Sequence, residues 1–126
     1  MDVHSDAVFD LRGRAAVVTG GSGVLGSAMA RALAGAGMRV ALLGRRLDAC
    51  QRVADDITGA GGTARAVAAD VLDRASLEAA ATRVAEAFGP VDLLLNAAGG
   101  NDPRATTSAG QSFFDLDPAG VDAVMA

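Results

Sequence analysis

Tyrosine, tryptophan and lysine are all missing from this 126-residue chain, and its eleven basic side chains are all arginine. A mechanism that needs a tyrosine acid or a catalytic lysine therefore cannot be completed within these residues. The single cysteine, Cys50, has no partner for an internal disulfide, and metal sites draw on several Cys or His ligands. Leu47, Val53 and Ile57 surround it at helical spacing, so it reads as a buried filler. His4 is the one histidine. It lies in a polar N-terminal stretch with no partner in view, so no metal or catalytic role falls to it. No basic cluster is longer than Arg45-Arg46. With a net charge of -4, general nucleic-acid and anionic-membrane partners are excluded. MDVHSDAVFD carries acids where an export signal needs a basic region, and no apolar run approaches the ~20 residues of a membrane span. A cytoplasmic location is the expectation.

What is present fits one small α/β domain: 51% hydrophobic residues, 16 glycines and few aromatics. Residues 1–13 read as a short tail, with Phe9 and Leu11 as its first packing contacts. Beyond it, short apolar runs alternate with amphipathic stretches. Strands are expected at Ala15–Thr19, Arg39–Leu43, Arg65–Ala69 and Val91–Leu95. The first helix, from about Val24 to Ala36, aligns Leu25, Met29 and Leu33 on one face. A second helix runs from about Leu47 to Thr58. A third, capped by Asp73, carries Leu77, Ala81, Val84 and Phe88 on one face. Residues 97–112 read as loop, and helical spacing resumes from about Asp115. Such alternation implies right-handed βαβ units and a parallel sheet. The fold expected is the first half of a Rossmann-type doubly wound sheet, with strand order 3-2-1-4.

The stretch VVTGGSGVLG admits three glycine frames. Gly21, Gly23 and Gly26 spell G-x-G-x-x-G, whereas Thr19, Gly20, Gly23 and Gly26 spell T-G-x-x-G-x-x-G. A third, T-G-x-x-x-G-x-G, fails only where its middle glycine falls on Val24. Each joins a strand to a helix, so unpaired N–H groups and the positive helix end converge where a pyrophosphate would sit. The ordinary fingerprint then expects an acid at the end of strand two to hold ribose hydroxyls. This chain has Leu42-Leu43-Gly44-Arg45-Arg46 there, and its next acid, Asp48, falls inside the following helix. A guanidinium in that place suits a ribose 2′-phosphate, which favours NADP(H) over NAD(H).

TGGSGVLG, LLGRR, Ala69-Asp70-Val71-Leu72-Asp73 and Leu95-Asn96-Ala97-Ala98-Gly99 together resemble the short-chain dehydrogenase/reductases, in order and spacing. The resemblance runs from Phe9 onward. It implies that Asp70, with Val71 beside it, contacts adenine, and that Asn96-Ala97-Ala98-Gly99 lines the cofactor. The implied cofactor-binding set is Gly20, Ser22, Gly23, Val24, Leu25, Gly26, Arg45, Arg46, Asp70, Val71, Asn96, Ala97, Ala98 and Gly99. Two positions depart from the family pattern. Ala97 replaces an asparagine, and the loop's middle glycine has moved to Gly23, as in the extended, epimerase-like branch. Phe88-Gly89-Pro90-Val91-Asp92-Leu93 and the closing Asn-x-Ala-Gly favour the reductase branch instead. GGSGVLGSAMA, AAGGNDPRATT and FFDLD resemble the D-mannonate oxidoreductase (fructuronate reductase) group within it. That likeness implies a sugar-acid substrate, with Arg104 pairing its carboxylate.

The family's hydride chemistry uses a tyrosine, a lysine, a serine and often an asparagine. No catalytic residue is assigned, because the first two are absent; Ser108 and Ser112 precede the region of the family's serine. The expectation is the cofactor-binding half of an oxidoreductase, truncated before its catalytic residues and homo-oligomeric when whole. A non-catalytic dinucleotide-binding module and a fragment of an extended family member remain as alternatives.

Overall fold

The structure is a computed structural model that describes residues 9–126. His4 and most of the expected tail lie outside the described residues. Four parallel strands, β1 (Ala15–Thr19), β2 (Arg39–Gly44), β3 (Thr63–Ala68) and β4 (Leu93–Asn96), stand in the order β3-β2-β1-β4. Their register pairs Ala15 with Arg39, Arg39 with Thr63, and Ala16 with Leu93. The helices are α1 (Val24–Gly35), α2 (Leu47–Gly59), α3 (Arg74–Phe88) and α4 (Pro118–Met125). This is the α/β class and strand order expected from the sequence.

Strand alternation splits the core into two layers. On one face Ala16, Val18, Val40 and Leu42 meet Ala30 and Ala34 of α1 and Cys50, Val53, Ala54 and Ile57 of α2. On the other, Ala15, Val17, Ala41, Leu43 and Val67 meet Ala80, Val84 and Phe88 of α3. Right-handed crossovers explain the division. The chain steps from β1 to β2 to β3 in one direction and returns from β3 to β4 in the other, so α3 crosses on the opposite face. β1 has neighbours on both sides and every one of its residues is buried.

The expected faces of two helices need correction. In α1 the buried residues are Gly26, Ala30 and Ala34, whereas Leu25 is 69% exposed and Met29 39%. The helix is rotated by about one residue because Gly26 must lie against the Gly20 carbonyl, where a Cβ at 26 would collide. Leu33 alone of the predicted stripe packs on the core. In α3 the inward residue is Ala80, not Ala81. Asp73 caps that helix as expected, accepting from the N–H groups of Ala75 and Ser76 at 3.0 and 3.4 Å.

Other boundaries shift by a residue or two: β3 begins at Thr63 and β4 at Leu93. Leu11 packs on the core, but Phe9 is exposed. Residues 97–112 are a built loop rather than a slack one. It contains a 3-10 turn at Pro103–Ala105, and the Gln111 amide donates to the carbonyls of Pro103, Arg104 and Thr106. A second 3-10 turn, Phe113–Asp115, precedes α4, which starts at Pro118 with Asp117 as its cap. The outer edge of β4 pairs with no strand among the described residues, and Leu94 there is exposed.

Candidate dinucleotide site

Because all four strands are parallel, Thr19, Gly44, Ala68 and Asn96 end at one edge of the sheet. The segments that follow them carry every site residue expected from the sequence. The switch in strand order falls between β1 and β4, which is where open α/β sheets bind ligands.

The glycine loop closes this crevice tightly. Gly20 has φ +63°, and a Cβ there would stand 2.7 Å from the Ala97 carbonyl oxygen. Gly20 thus meets both a backbone and a space requirement that other residues fail. A Cβ at Gly21 would stand 2.9 Å from the Leu42 side chain, and the Gly21 N–H donates to the Leu43 carbonyl at 3.0 Å. Gly26 lies against Gly20. Gly23, by contrast, would bring a Cβ no nearer than 3.3 Å to the Gly20 carbonyl oxygen. The glycines that geometry demands are therefore 20, 21 and 26. Gly23 is the least constrained of the four, so its position says little about the branch of the family.

Gly23 is the N-cap of α1 and offers no side chain to the free amides. The first N–H of this turn to find a backbone acceptor among the described residues is that of Ser27, which donates to the Gly23 carbonyl at 2.9 Å. Those of Val24, Leu25 and Gly26 have no backbone acceptor among the described residues and lie at the positive end of the helix. The Val24 and Leu25 side chains are exposed, so both residues would act here through backbone alone. A cradle of this kind, without side chains and lined by free N–H groups, fits a pyrophosphate.

Thr19 ties the two walls together, a role the sequence reading missed. Its buried hydroxyl oxygen accepts from the N–H groups of Ala97 and Ala98, each at 3.2 Å. A lone threonine closing an Ala/Val strand ahead of the glycines was the available signal. Asn96, Ala98 and Gly99 are exposed along the crevice and Ala97 is half-buried.

Next along the edge, Arg45 and Arg46 are exposed and form no ion pair with any described carboxylate. Asp48 lies in the first turn of α2, paired with Arg52 at 3.2 Å, so it does not replace an acid at the end of β2. Past β3, the Asp70 carboxylate accepts from the Leu72 N–H at 3.0 Å, and its own N–H donates to the Ser76 hydroxyl at 2.9 Å. Both bonds fix the turn that carries Asp70 and Val71. Arg104 stands apart from this set. Its guanidinium forks onto Asp102, with Nη2 2.7 Å from Oδ2 and Nε 3.1 Å from Oδ1. The guanidinium holds the Asp102 carboxyl below its ordinary range. That pairing organises the loop, so the expected role of Arg104 on a substrate carboxylate is not what the geometry presents.

A doubly wound parallel sheet with a glycine cradle at its switch point defines a dinucleotide-binding α/β protein. The particular family follows from comparison: the short chain dehydrogenase family model matches residues 14–126, and the chain belongs to that family. It is 57% identical over 119 residues to an uncharacterized oxidoreductase, UxuB, of Bacillus subtilis (strain 168), covering 88% of this chain and 43% of that one. With the D-threitol dehydrogenase of Mycolicibacterium smegmatis it shares 40% identity over 98 residues, covering 78% and 38%. Among solved structures, a Haemophilus influenza protein provisionally described as a D-mannonate oxidoreductase, with bound NAD, superposes with a TM-score of 0.81. That pair shares 32% identity and covers 95% of this chain and 46% of the other. A metagenomic short-chain oxidoreductase in complex with NADP gives 0.76 at 36% identity, covering 92% and 50%. The chain spans less than half the length of its curated relatives. Among the described residues, no helix is long and apolar enough to cross a membrane.

Proposed function

We propose that the described residues form the nucleotide-binding domain of a nicotinamide-dependent oxidoreductase acting on CH–OH groups. The observation that carries this reading is the cradle formed by Gly20, Gly26 and the first turn of α1, latched to Ala97-Ala98 through Thr19. In this reading the Val24, Leu25 and Gly26 amides bind the pyrophosphate, Ser22 and Gly23 shape its seat, and Asp70 with Val71 borders the adenine. Asn96 to Gly99 line the path towards the nicotinamide. The cofactor supplies or accepts the hydride when bound. This chain's own residues orient it; the tyrosine and lysine used by the family are not among them.

Arg45 and Arg46, in no ion pair among the described residues at the end of β2, favour a 2′-phosphate and hence NADP(H). The NAD bound by the Haemophilus protein supports NAD(H) as a second reading. Replacing Arg45 by alanine separates them. Loss of a charge-assisted pair should weaken NADPH binding by ~1–3 kcal/mol and leave NADH nearly unchanged. Equal weakening of both rejects the 2′-phosphate role.

For the whole protein we propose a sugar-acid substrate of the fructuronate/mannonate kind. Support comes from the Gly100–Thr107 loop and from the provisional description of the Haemophilus relative. Initial rates of NAD(P)H oxidation by the full encoded polypeptide, with fructuronate against simple ketones, test it; no preference for the sugar acid removes it. A homo-oligomer acting in the cytoplasm completes the reading, checked by sedimentation and by cell fractionation.

A further inference from the structure

The end of β2 lacks a carboxylate, and its last residue, Gly44, is a glycine without a conformational reason. The glycines with positive φ are 13, 20, 37, 61 and 89, so position 44 has backbone angles that any residue adopts. Space is what excludes a side chain there. A Cβ at 44 would stand 2.7 Å from the Cys50 sulfur and 3.8 Å from the Ser22 hydroxyl oxygen. Cys50 is fully buried in the first turns of α2, with Val53 and Ala54 of the same helix buried beside it. A helical residue has few open χ1 wells, so its sulfur has little freedom to turn away. Burial also pushes the thiol up, against a smaller pull from the Ser22 hydroxyl and N–H, which keeps it a neutral filler at physiological pH.

We propose that Cys50 is a positioning residue that acts through position 44: its sulfur fills the volume a side chain there needs, so no acid is accommodated while it is present. That keeps a ribose-binding carboxylate off the end of β2 and leaves the 2′ side of the nucleotide to Arg45. The inference rests on the dinucleotide reading of this edge, and it adds why no acid stands there. A carboxylate at 44 would hold the ribose hydroxyls of NAD(H) and repel a 2′-phosphate.

Gly44→Asp, Cys50→Ala and the double variant, made in the full encoded polypeptide, test it beside Arg45→Ala. NADPH and NADH affinities are read by fluorescence titration and stability by thermal melting. Cys50→Ala should leave the NADPH/NADH affinity ratio unchanged, since it adds no carboxylate. Gly44→Asp alone should melt lower without gaining NADH affinity. The double variant should melt higher than the two single effects added together and shift the ratio toward NADH by about tenfold or more. The proposal is overturned if Gly44→Asp alone melts like the parent and shifts the ratio as far as the double. It is overturned equally if the double fails to fold, or folds without a shift. Failure of the underlying reading has a different signature. The parent then binds neither dinucleotide, or Arg45→Ala weakens both alike, while the melting comparison still reports whether the sulfur obstructs position 44.

Discussion

Thr19→Val removes one oxygen and keeps the branched shape that suits a buried strand end. Two N–H groups lose their acceptor, those of Ala97 and Ala98, each 3.2 Å from the Thr19 hydroxyl oxygen. Both bonds lie at the long end of the N–H···O range, so each contributes toward the lower side of ~0.5–1.5 kcal/mol. Ala98 is exposed and water can replace its lost partner, whereas half-buried Ala97 rehydrates less well. The two losses together come to about 1 kcal/mol. For a domain of this size that lowers the melting temperature by about 4 °C. The latch also sets the width of the crevice, so NADPH and NADH should both bind more weakly and by the same factor, because Arg45 is untouched. Thermal melting by circular dichroism and fluorescence titration provide the two readings. A variant melting within about 2 °C of the parent, or one that changes the preference between the dinucleotides, would refute the assignment of Thr19 as the latch between β1 and β4.

Gly26→Ala should abolish dinucleotide binding and lower stability by ~1–3 kcal/mol, since its Cβ meets the Gly20 carbonyl and must push α1 off the loop; Gly23→Ala, with more room, should be much milder in the same assays. Asp73→Ala removes the acceptor for two N–H groups at the start of α3 and should cost ~1 kcal/mol in a denaturant titration, with dinucleotide affinity unchanged. Phe88→Ala opens the α3 layer and should cost ~3–5 kcal/mol, enough to be seen as loss of the cooperative melt. Hydrogen bonding from Arg12 lowers the Asp10 carboxyl to about 2. A carboxyl depressed in this way favours the folded chain above its unfolded value near 4, and the benefit fades as pH falls toward about 2. Carboxyl NMR should place its midpoint there and find it back near the ordinary value in Arg12→Ala.

Much of the fold was legible because both of its periodicities are strong. Ala15–Thr19 and Arg39–Leu43 are short apolar runs between glycines and turns, and nothing else such runs can do is as favourable as a strand buried on both faces. The Asp73 cap and the stop at Gly89-Pro90 were equally local, since a cap satisfies donors within one turn. The face of α1 was not legible. Hydrophobicity favoured Leu25, Met29 and Leu33, but packing of Gly26 on Gly20 set the rotation, and that contact is defined only once loop and helix close on each other. The Thr19 latch links residues 78 apart in sequence, so no local pattern reports it.

By itself, the sequence determined the class of fold, the place of the glycine loop between strand and helix, and the absence of the tyrosine and lysine of the family's chemistry. These depend on residue type and short-range spacing alone. Only the tertiary structure decided which glycines are indispensable and that Arg104 is held by Asp102 within its own loop. It also set the Cys50 sulfur in the space beside Gly44. Each of these is a question of which atoms occupy the same few ångströms, and it is answered only when loops, helices and sheet have closed on one another.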